Sequence, residues 1–390
     1  MNRKITKILI VIPSGFCFGL QNITIDLFCR FSSNIQPHFI VTHWNDGSFV
    51  NQLKKNGLQY SFSWLGMFSR KMDWSNLKMN IETFIKLPIL YLDFIIQKRK
   101  FKPNLLFFAN HHELILLFPV LIFNRVPVVC HMHDPSPAIK FQKISFWFYS
   151  KIVTKFVAIS KSVENRTIAL GCKPDKISVI QNGIKIPDNL DRSSRNNHFC
   201  DLFNWPHDVF IVGITGQISE TKGHLDVLEA IRNCYKINNK VRLIIGGHQK
   251  GQFFSKLNEL IDQFNLRNIV AFSGWQDDIS KFFANIDLFV LASRHEEGYG
   301  LVVAEAMAYG IPVIGTKSGG IMEIIEDGIS GYLVNKLSPS QIAEKILLLS
   351  TERNVYKKLT SQGRKRVINV FDIDKQTIKM ETFLIRMSEK

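Results

Sequence analysis

Two doubly wound α/β domains, each built on a parallel sheet, are predicted from three features of the 390-residue chain. These are its length, the recurrence of short apolar runs at helix-length spacing, and a polar break near its middle. A chain of this length exceeds one ordinary core and favours two domains of roughly 150 to 200 residues. Runs such as Ile8 to Ile12 are apolar throughout instead of alternating, which marks strands covered on both faces and therefore paired in parallel.

The first domain, residues 1–195, opens with a strand over Lys7 to Pro13 and continues through His38 to Trp44, Asn104 to Ala109, Val126 to Met132, Lys155 to Ser160 and Ile177 to Gln181. Between Asp188 and His207 the pattern gives way to DNLDRSSRNNHFCDLFNWPH, the best candidate for a linker. The second domain, 196–371, restarts with Val209 to Thr215, Val241 to Gly246, Ile269 to Ser273, Ile286 to Ala292 and Ile311 to Gly315. A last helix over about 372–390, with Ile378, Phe383, Leu384 and Met387 at helical spacing, is expected to pack back on the first domain. A cleft is expected between the sheets.

Apolar content of 46% with 21% charged residues describes a folded globular chain and argues against disorder. The net charge of +16 is uneven: residues 1–195 carry 26 Lys/Arg against 11 Asp/Glu, and the remainder 23 against 22. A basic half attracts nucleic acid, anionic lipid or a phosphorylated substrate. It also contains Phe84 to Ile96 (FIKLPILYLDFII) followed by Gln97-Lys98-Arg99-Lys100, which suits either an interfacial segment on an anionic membrane or a core helix with a solvated charge run. Ile8 to Ile12 is too short for a signal-peptide core, and Leu114 to Phe123, interrupted by Pro119, is too short to span a bilayer. A cytoplasmic protein, peripheral at the inner face of the membrane, is expected. Six scattered cysteines with no Cys-x-x-Cys pair indicate core fillers, not a zinc site or a disulfide framework.

The most informative segment is Ser293 to Gly320, SRHEEGYGLVVAEAMAYGIPVIGTKSGG. It follows an apolar strand, so it starts at a strand's C-terminal end, where open α/β sheets bind ligands. Gly298 and Gly300 bracket a sharp turn around Tyr299, and a helix then starts near Leu301 and Val302. Free amides and the positive end of the helix dipole make that start an anion site. Glu297 in the turn and Glu305, eight positions on, suit the hydroxyls of a polyol on either side of a phosphate. A sugar nucleotide has that layout.

Other loops open on the same rim. Gly216-Gln217 leads to Lys222-Gly223-His224 after the second domain's first strand, and a lysine there can reach a phosphate. Gly274-Trp275 follows another strand, where the indole either holds a nucleobase or caps the core. Lys317-Ser318-Gly319-Gly320 allows close backbone approach, and Glu323 suits a helix entry. In the first domain, Pro13 to Gln21 is a glycine-punctuated loop ending near Gly19. His131-Met132-His133-Asp134 ends a strand, with His133 the better candidate for a hydrogen bond to a ligand and too few partners for zinc. His111 and His112 read as structural.

These residues resemble the retaining family 4 glycosyltransferases of GT-B fold. The resemblance lies in Glu297 and Glu305 with Ala306-Met307-Ala308, and continues through Val157 to Ser162, Val179 to Ile184, Lys222-Gly223, Ser273 to Trp275 and Asp327 to Gly331. It implies that Lys222, Glu297 and His133 serve the reaction. Gly19, Gln217, Gly274, Trp275, Gly298, Tyr299, Gly300, Leu301, Val302 and Glu305 would hold the donor. In that arrangement Glu297 takes sugar hydroxyls, Glu305 the ribose, and His133 the reacting sugar. Family members often place arginine where this chain has Gln217, which supplies no charge, so leaving-group stabilisation leans on Lys222 and the helix start. No general base is assigned, because the leaving phosphate is expected to take the acceptor proton.

A transferase is therefore expected to move a hexose or N-acetylhexosamine from a nucleoside-diphosphate sugar, UDP-linked by preference and GDP-linked as the alternative. The acceptor is a glycan hydroxyl, lipid-linked, in surface polysaccharide synthesis. No metal or cofactor is expected. A nucleotide-sugar epimerase or hydrolase, and a silent sugar-nucleotide-binding partner of another transferase, are the competing readings. Nucleic-acid binding would leave the glutamate turn unused.

Overall fold

In a computed structural model, described over residues 5–12, 19–66, 74–133, 140–188, 196–276 and 278–389, the chain divides into two compact units. Unit 1 holds residues 1–182 with 374–390, and unit 2 holds residues 183–373. Much of the linker candidate, 189–195, lies outside the described residues, and the division falls a few residues before it.

Unit 1 runs β1 (Thr6–Ile12), α1 (Gly19–Cys29), β2 (Ile35–Thr42), α2 (Ser48–Lys55), β3 (Gln59–Ser63), α3 (Trp74–Phe101), β4 (Leu105–Phe108), α4 (His112–Leu121), β5 (Val128–Met132), α5 (Lys140–Ile152), β6 (Lys155–Ala158), α6 (Lys161–Ala169) and β7 (Ile177–Val179). The seven strands pair in parallel in the order β3-β2-β1-β4-β5-β6-β7. Strands β1, β4 and β5 are buried on both faces, as continuous apolar runs require. β3, reading QYSFS at the sheet edge, carries no such run and escaped the sequence reading.

Unit 2 runs α7 (His198–Leu202), β8 (Phe210–Thr215), α8 (His224–Ile237), β9 (Val241–Gly246), α9 (Gln252–Gln263), β10 (Val270–Gly274), α10 (Ile279–Phe283), β11 (Leu288–Leu291), α11 (Leu301–Ala308), β12 (Val313–Thr316), α12 (Ile321–Ile324), β13 (Tyr332–Val334), α13 (Pro339–Thr351) and α14 (Arg353–Val370). Its six parallel strands follow the order β10-β9-β8-β11-β12-β13. The three-residue edge strand β13 was again illegible.

The last helix, α15 (Ile373–Ser388), belongs with unit 1 almost throughout. Met380, Leu384 and Met387 enter the core with Ile10, Phe39 and Phe107, and the Glu381 carboxylate accepts from both Ser32 N–H and Ser32 Oγ. Ile378, expected on the buried stripe, is instead exposed. Pro119 does not stop α4, which continues through it, and Pro88 lies inside the 28-residue α3. Cys130, Cys172, Cys200 and Cys234 are buried thiols, Cys29 is exposed, no disulfide joins the described cysteines, and Cys17 lies outside the described residues. No described helix is long and apolar enough to cross a membrane.

Candidate functional site

In each sheet the strand order reverses at one point, and ligands of doubly wound sheets bind beyond the strand ends there. In unit 2 that point lies between β8 and β11, which are paired neighbours. The end of β8 leads to Gln217, exposed, and then to a short 3₁₀ turn over Glu220–Lys222. The end of β11 leads into the glutamate turn. Two loops separated by about 75 residues in sequence thus share one rim.

Gly223 fixes the first loop to the second strand. Its φ is +72°, and a Cβ there would stand 1.8 Å from the Ala292 carbonyl oxygen, so only glycine lets α8 start this close to the end of β11. Lys222 consequently points along the rim, where its ammonium donates to Glu297 Oε1 at 2.5 Å. Ser293 Oγ donates to the same oxygen at 2.5 Å. Both partners are largely withdrawn from solvent, with 30% of the lysine side chain and 15% of the glutamate side chain exposed. The sequence reading gave Lys222 and Glu297 separate tasks, whereas here they form an ion pair. An ammonium has three donors, so Lys222 can keep Glu297 and still offer hydrogen bonds to an anion.

The turn itself is locked by the loop after β12. Ser318 Oγ donates to the His295 carbonyl at 2.5 Å and accepts from Glu297 N–H at 3.1 Å, while Gly320 N–H donates to the Glu297 carbonyl at 3.0 Å. A Cβ on Gly319, whose φ is +44°, would lie 1.9 Å from that same carbonyl oxygen. Glu296 accepts from Gly319 N–H at 2.7 Å and pairs with Lys336. Gly300 then caps α11 at φ +89°, leaving the Leu301 and Val302 amides in the first turn, where intrahelical partners are lacking.

Tyr299 departs from expectation. Its ring is buried edge-on against Phe371, with centroids 6.2 Å apart, and burial pushes its phenol well up. Only its backbone is available to a ligand. Glu305 is half-buried in the second turn of α11, beside Tyr309, whose phenol is raised by burial first and then by Asp278 and Glu305. Trp275 does not cap the core: it is 52% exposed and stacks on His248, with centroids 4.4 Å apart and planes 3° from parallel. Gly274, at φ +74°, sets that ring beyond the end of β10, and its carbonyl accepts from Gly247 N–H at 2.9 Å.

Sequence reasoning missed the clamp behind the ion pair. Arg294 binds Asp226 with Nε at 2.8 Å and Nη2 at 2.9 Å, and reaches Glu220 at 3.2 Å, while its N–H donates to the Thr221 carbonyl at 2.9 Å. The loop of Lys222 and the turn of Glu297 are therefore stapled together. Two carboxylates occupy this guanidinium, so it does not substitute for the arginine that Gln217 replaces. His224 adds a second staple: burial holds its ring at about 4, hence neutral, and Nδ1 lies 3.1 Å from the Ser219 carbonyl as a donor. Arg294 and His224 both adjoin the glycine turns, but nothing in spacing alone marks a buttress.

In unit 1 the reversal lies between β1 and β4. The loop after β1, residues 13–18, and Asp134 lie outside the described residues. Gly19 starts α1, and among the described residues nothing lies within 4 Å of where its Cβ would stand. The end of β4 delivers His111 and His112, read from sequence as structural, with ring centroids 4.2 Å apart. His133 ends β5 half-buried, its Nε2 3.1 Å from Nδ1 of buried His131. Burial lowers His133 to about 4 and His111 to about 3, the latter helped by His112. On α4, buried Glu113 is pushed up to about 8 by burial. These groups are neutral near pH 7.

A lysine, a carboxylate and two helix starts gathered at the crossover of one parallel sheet, in a chain whose other half is a second doubly wound sheet, define the GT-B class of glycosyltransferase folds. Family comparisons agree with that class. The family described as Glycosyl transferases group 1 matches residues 202–366, and Glycosyltransferase Family 4 matches residues 76–186. The chain belongs to the family 4 glycosyltransferases of GT-B fold. The capsular polysaccharide biosynthesis glycosyltransferase CapM of Staphylococcus aureus is 30% identical over 224 residues, 56% of this chain and 58% of that protein. Lipopolysaccharide 1,2-N-acetylglucosaminetransferase of Salmonella typhimurium is 26% identical over 220 residues, 50% of this chain and 57% of that protein. The chain thus spans about half the length of the curated relatives it matches. Anabaena Alr3699/HepE, solved in complex with UDP and glucose, shares the fold with a TM-score of 0.80 at 21% identity, over 98% of this chain and 100% of that one.

Proposed function

We propose that the protein is a retaining glycosyltransferase that moves a hexose or N-acetylhexosamine from a UDP-sugar to a hydroxyl of a lipid-linked glycan during surface polysaccharide synthesis, at the inner face of the cytoplasmic membrane. The observation that carries this reading is the Lys222–Glu297 pair at 2.5 Å on the β8/β11 crossover, directly before the first turn of α11. The capsule and lipopolysaccharide relatives support the pathway, and the HepE complexes with UDP and UDP-glucose support the donor class.

As the glycosidic bond breaks, negative charge grows on the diphosphate. Lys222 and the amides of Leu301 and Val302 are fixed before the donor arrives, with Gln217 as a further donor on the same rim, and such preorganised donors commonly supply the largest catalytic contribution. With Oε1 engaged by Lys222 and Ser293, the outer lone pairs of Glu297 serve donor-sugar hydroxyls, and Glu305 serves the ribose. Gly274 and Trp275 receive the base. His133, neutral near pH 7, keeps the hydrogen bond to the donor sugar that the resemblance implies, and Gly19 keeps its phosphate contact. The leaving phosphate takes the acceptor proton.

A thermal-shift screen of UDP-, GDP- and ADP-sugars tests the donor, since a ligand that binds only the folded state raises the midpoint by mass action. UDP-sugars are expected to raise it, with UDP released only when a glycan acceptor is added. Release without acceptor would make the protein a hydrolase, and no shift with any of the three would end the reading.

A further inference from the structure

Helix α3 carries an apolar stripe that its own domain does not cover. At 3.6 residues per turn, Trp74, Ile81, Phe84, Ile85, Leu92 and Ile96 fall within an arc of about 120°, and each is more than half exposed. The opposite side, with Thr83, Leu90 and Phe94, is the buried one. A helix with large apolar side chains on two opposite faces normally covers its second face with protein or lipid, yet these six side chains of α3 are open to solvent.

The stripe continues over the helices beside it. α3 packs on α4 and α4 on α5, Phe123 just past α4 is 86% exposed, and Trp147 on α5 is 56% exposed. Cations punctuate all three: Lys78, Arg99 and Lys100 on α3, exposed Arg125 after α4, and exposed Lys143 and Lys151 on α5, with Lys151 Nζ 5.1 Å from the centre of the Trp147 ring. Acidic groups are few. α5 has none, α4 has only buried Glu113, and on α3 Glu82 is tied to Lys86 at 2.6 Å, leaving Asp93. Apolar side chains ringed by lysine, arginine and interfacial tryptophan match an anionic bilayer surface, whereas a second copy would oppose like charges.

The helix also overhangs its sheet. Its 28 residues span roughly 42 Å, against roughly 23 Å for the seven-residue β1. Its C-terminal end lies low, where Phe101 meets His38 and Lys7 near the strand starts. Thr83 lies against Gly66 and Lys86 over Trp64, just beyond the end of β3. Residues before Thr83 therefore project past the rim by roughly 12 Å. We propose that α3, with the adjoining faces of α4 and α5, is the membrane-docking surface, lying in the plane of the headgroups of an anionic bilayer. The helix layer that docks then connects directly to the rim that carries His111, His112 and His133, since α3 leads into β4 and α4 into β5. This rests on the membrane-linked acceptor proposed above.

Flotation of the full chain with vesicles of phosphatidylcholine, alone or mixed with phosphatidylglycerol, tests it, beside a thermal shift with UDP. The wild type is expected to float with the mixed vesicles and not with the neutral ones. Phe84→Ser/Ile85→Ser/Leu92→Ser should reduce the bound fraction at least about tenfold, with its melting response to UDP intact. Lys78→Ala/Arg99→Ala/Lys100→Ala should weaken binding at low salt and flatten its loss with added salt, because the screened part of the affinity is what these cations supply. Failure of the wild type to float at low salt, equal binding by the apolar triple variant, or a wild-type dimer abolished by that variant would each overturn the docking surface. Flotation without a response to UDP would break the glycosyltransferase reading alone.

Discussion

The rim of unit 2 holds several charges in pairs, while the rim of unit 1 holds His111, His133 and Glu113 neutral by burial. In unit 2, Lys222 meets Glu297, Arg294 meets Asp226 and Glu220, and Lys336 meets Glu296, on loops wedged together at Gly223 and Gly319. In unit 1, His111 and His133 fall to about 3 and about 4, and Glu113 rises to about 8. Among the described residues, His111 Nδ1, Glu113 Oε2 and His131 Nε2 find no hydrogen-bond partner. The difference separates two ways of preparing a surface. Paired charges on rigid loops can exchange one partner for a phosphate without refolding, whereas neutral imidazoles suit hydroxyls and impose a stability cost that varies with pH.

The largest effect is expected where the unit 2 loops touch backbone to backbone. Gly319→Ala places a Cβ on the Glu297 carbonyl at positive φ and should cost about 3 kcal/mol, seen as a lower midpoint in thermal unfolding. If the midpoint held, the turn would be softer than the packing implies. Next, Arg294→Ala strands Asp226, whose side chain is 6% exposed, and should cost about 2–3 kcal/mol. Adding Asp226→Asn should return part of that loss, and additive effects would mean that the pair is not coupled.

The smallest effect sharpens the unit 1 side. Glu113 is raised from 4.5 to about 8, so the unfolded chain loses this proton first as pH rises. Its stability contribution is complete below about 4.5 and is lost as pH climbs through 8. Glu113→Gln should therefore gain about 1–2 kcal/mol at pH 8 and little at pH 4.5. His111, His133 and His224 act in the opposite direction. Their folded values are depressed, so their contribution is present above about 6.5 and is lost as pH falls toward 4. Equal effects of Glu113→Gln at both pH values would show that the carboxyl is not held protonated.

Strands and crossovers were legible where periodicity is strong. β4 and β11 are uninterrupted apolar runs and β1, β8 and β9 are apolar over most of their length, and the loops after β8 and β11 announced the site through glycine, lysine and glutamate. β3 and β13 were not, because QYSFS alternates polar with aromatic residues and so offers no apolar run, and YLV is only three residues long. The Lys222–Glu297 pair was also hidden, since both residues were singled out but their contact depends on the β8–β11 pairing. Arg294 and His224 act through other residues, a role that leaves no spacing pattern. The exposed face of α3 could be suspected from Phe84 to Ile96, but choosing between a core helix and a surface one required knowing which side the sheet covers.

The central claim is that the β8/β11 crossover binds a nucleoside diphosphate through Lys222. Calorimetric titration of UDP into the wild type and Lys222→Ala tests it most directly. Saturable binding by the wild type and a loss of about 10- to 100-fold in the variant are expected for one charge-assisted contact. Equal affinity in the two proteins would contradict the account.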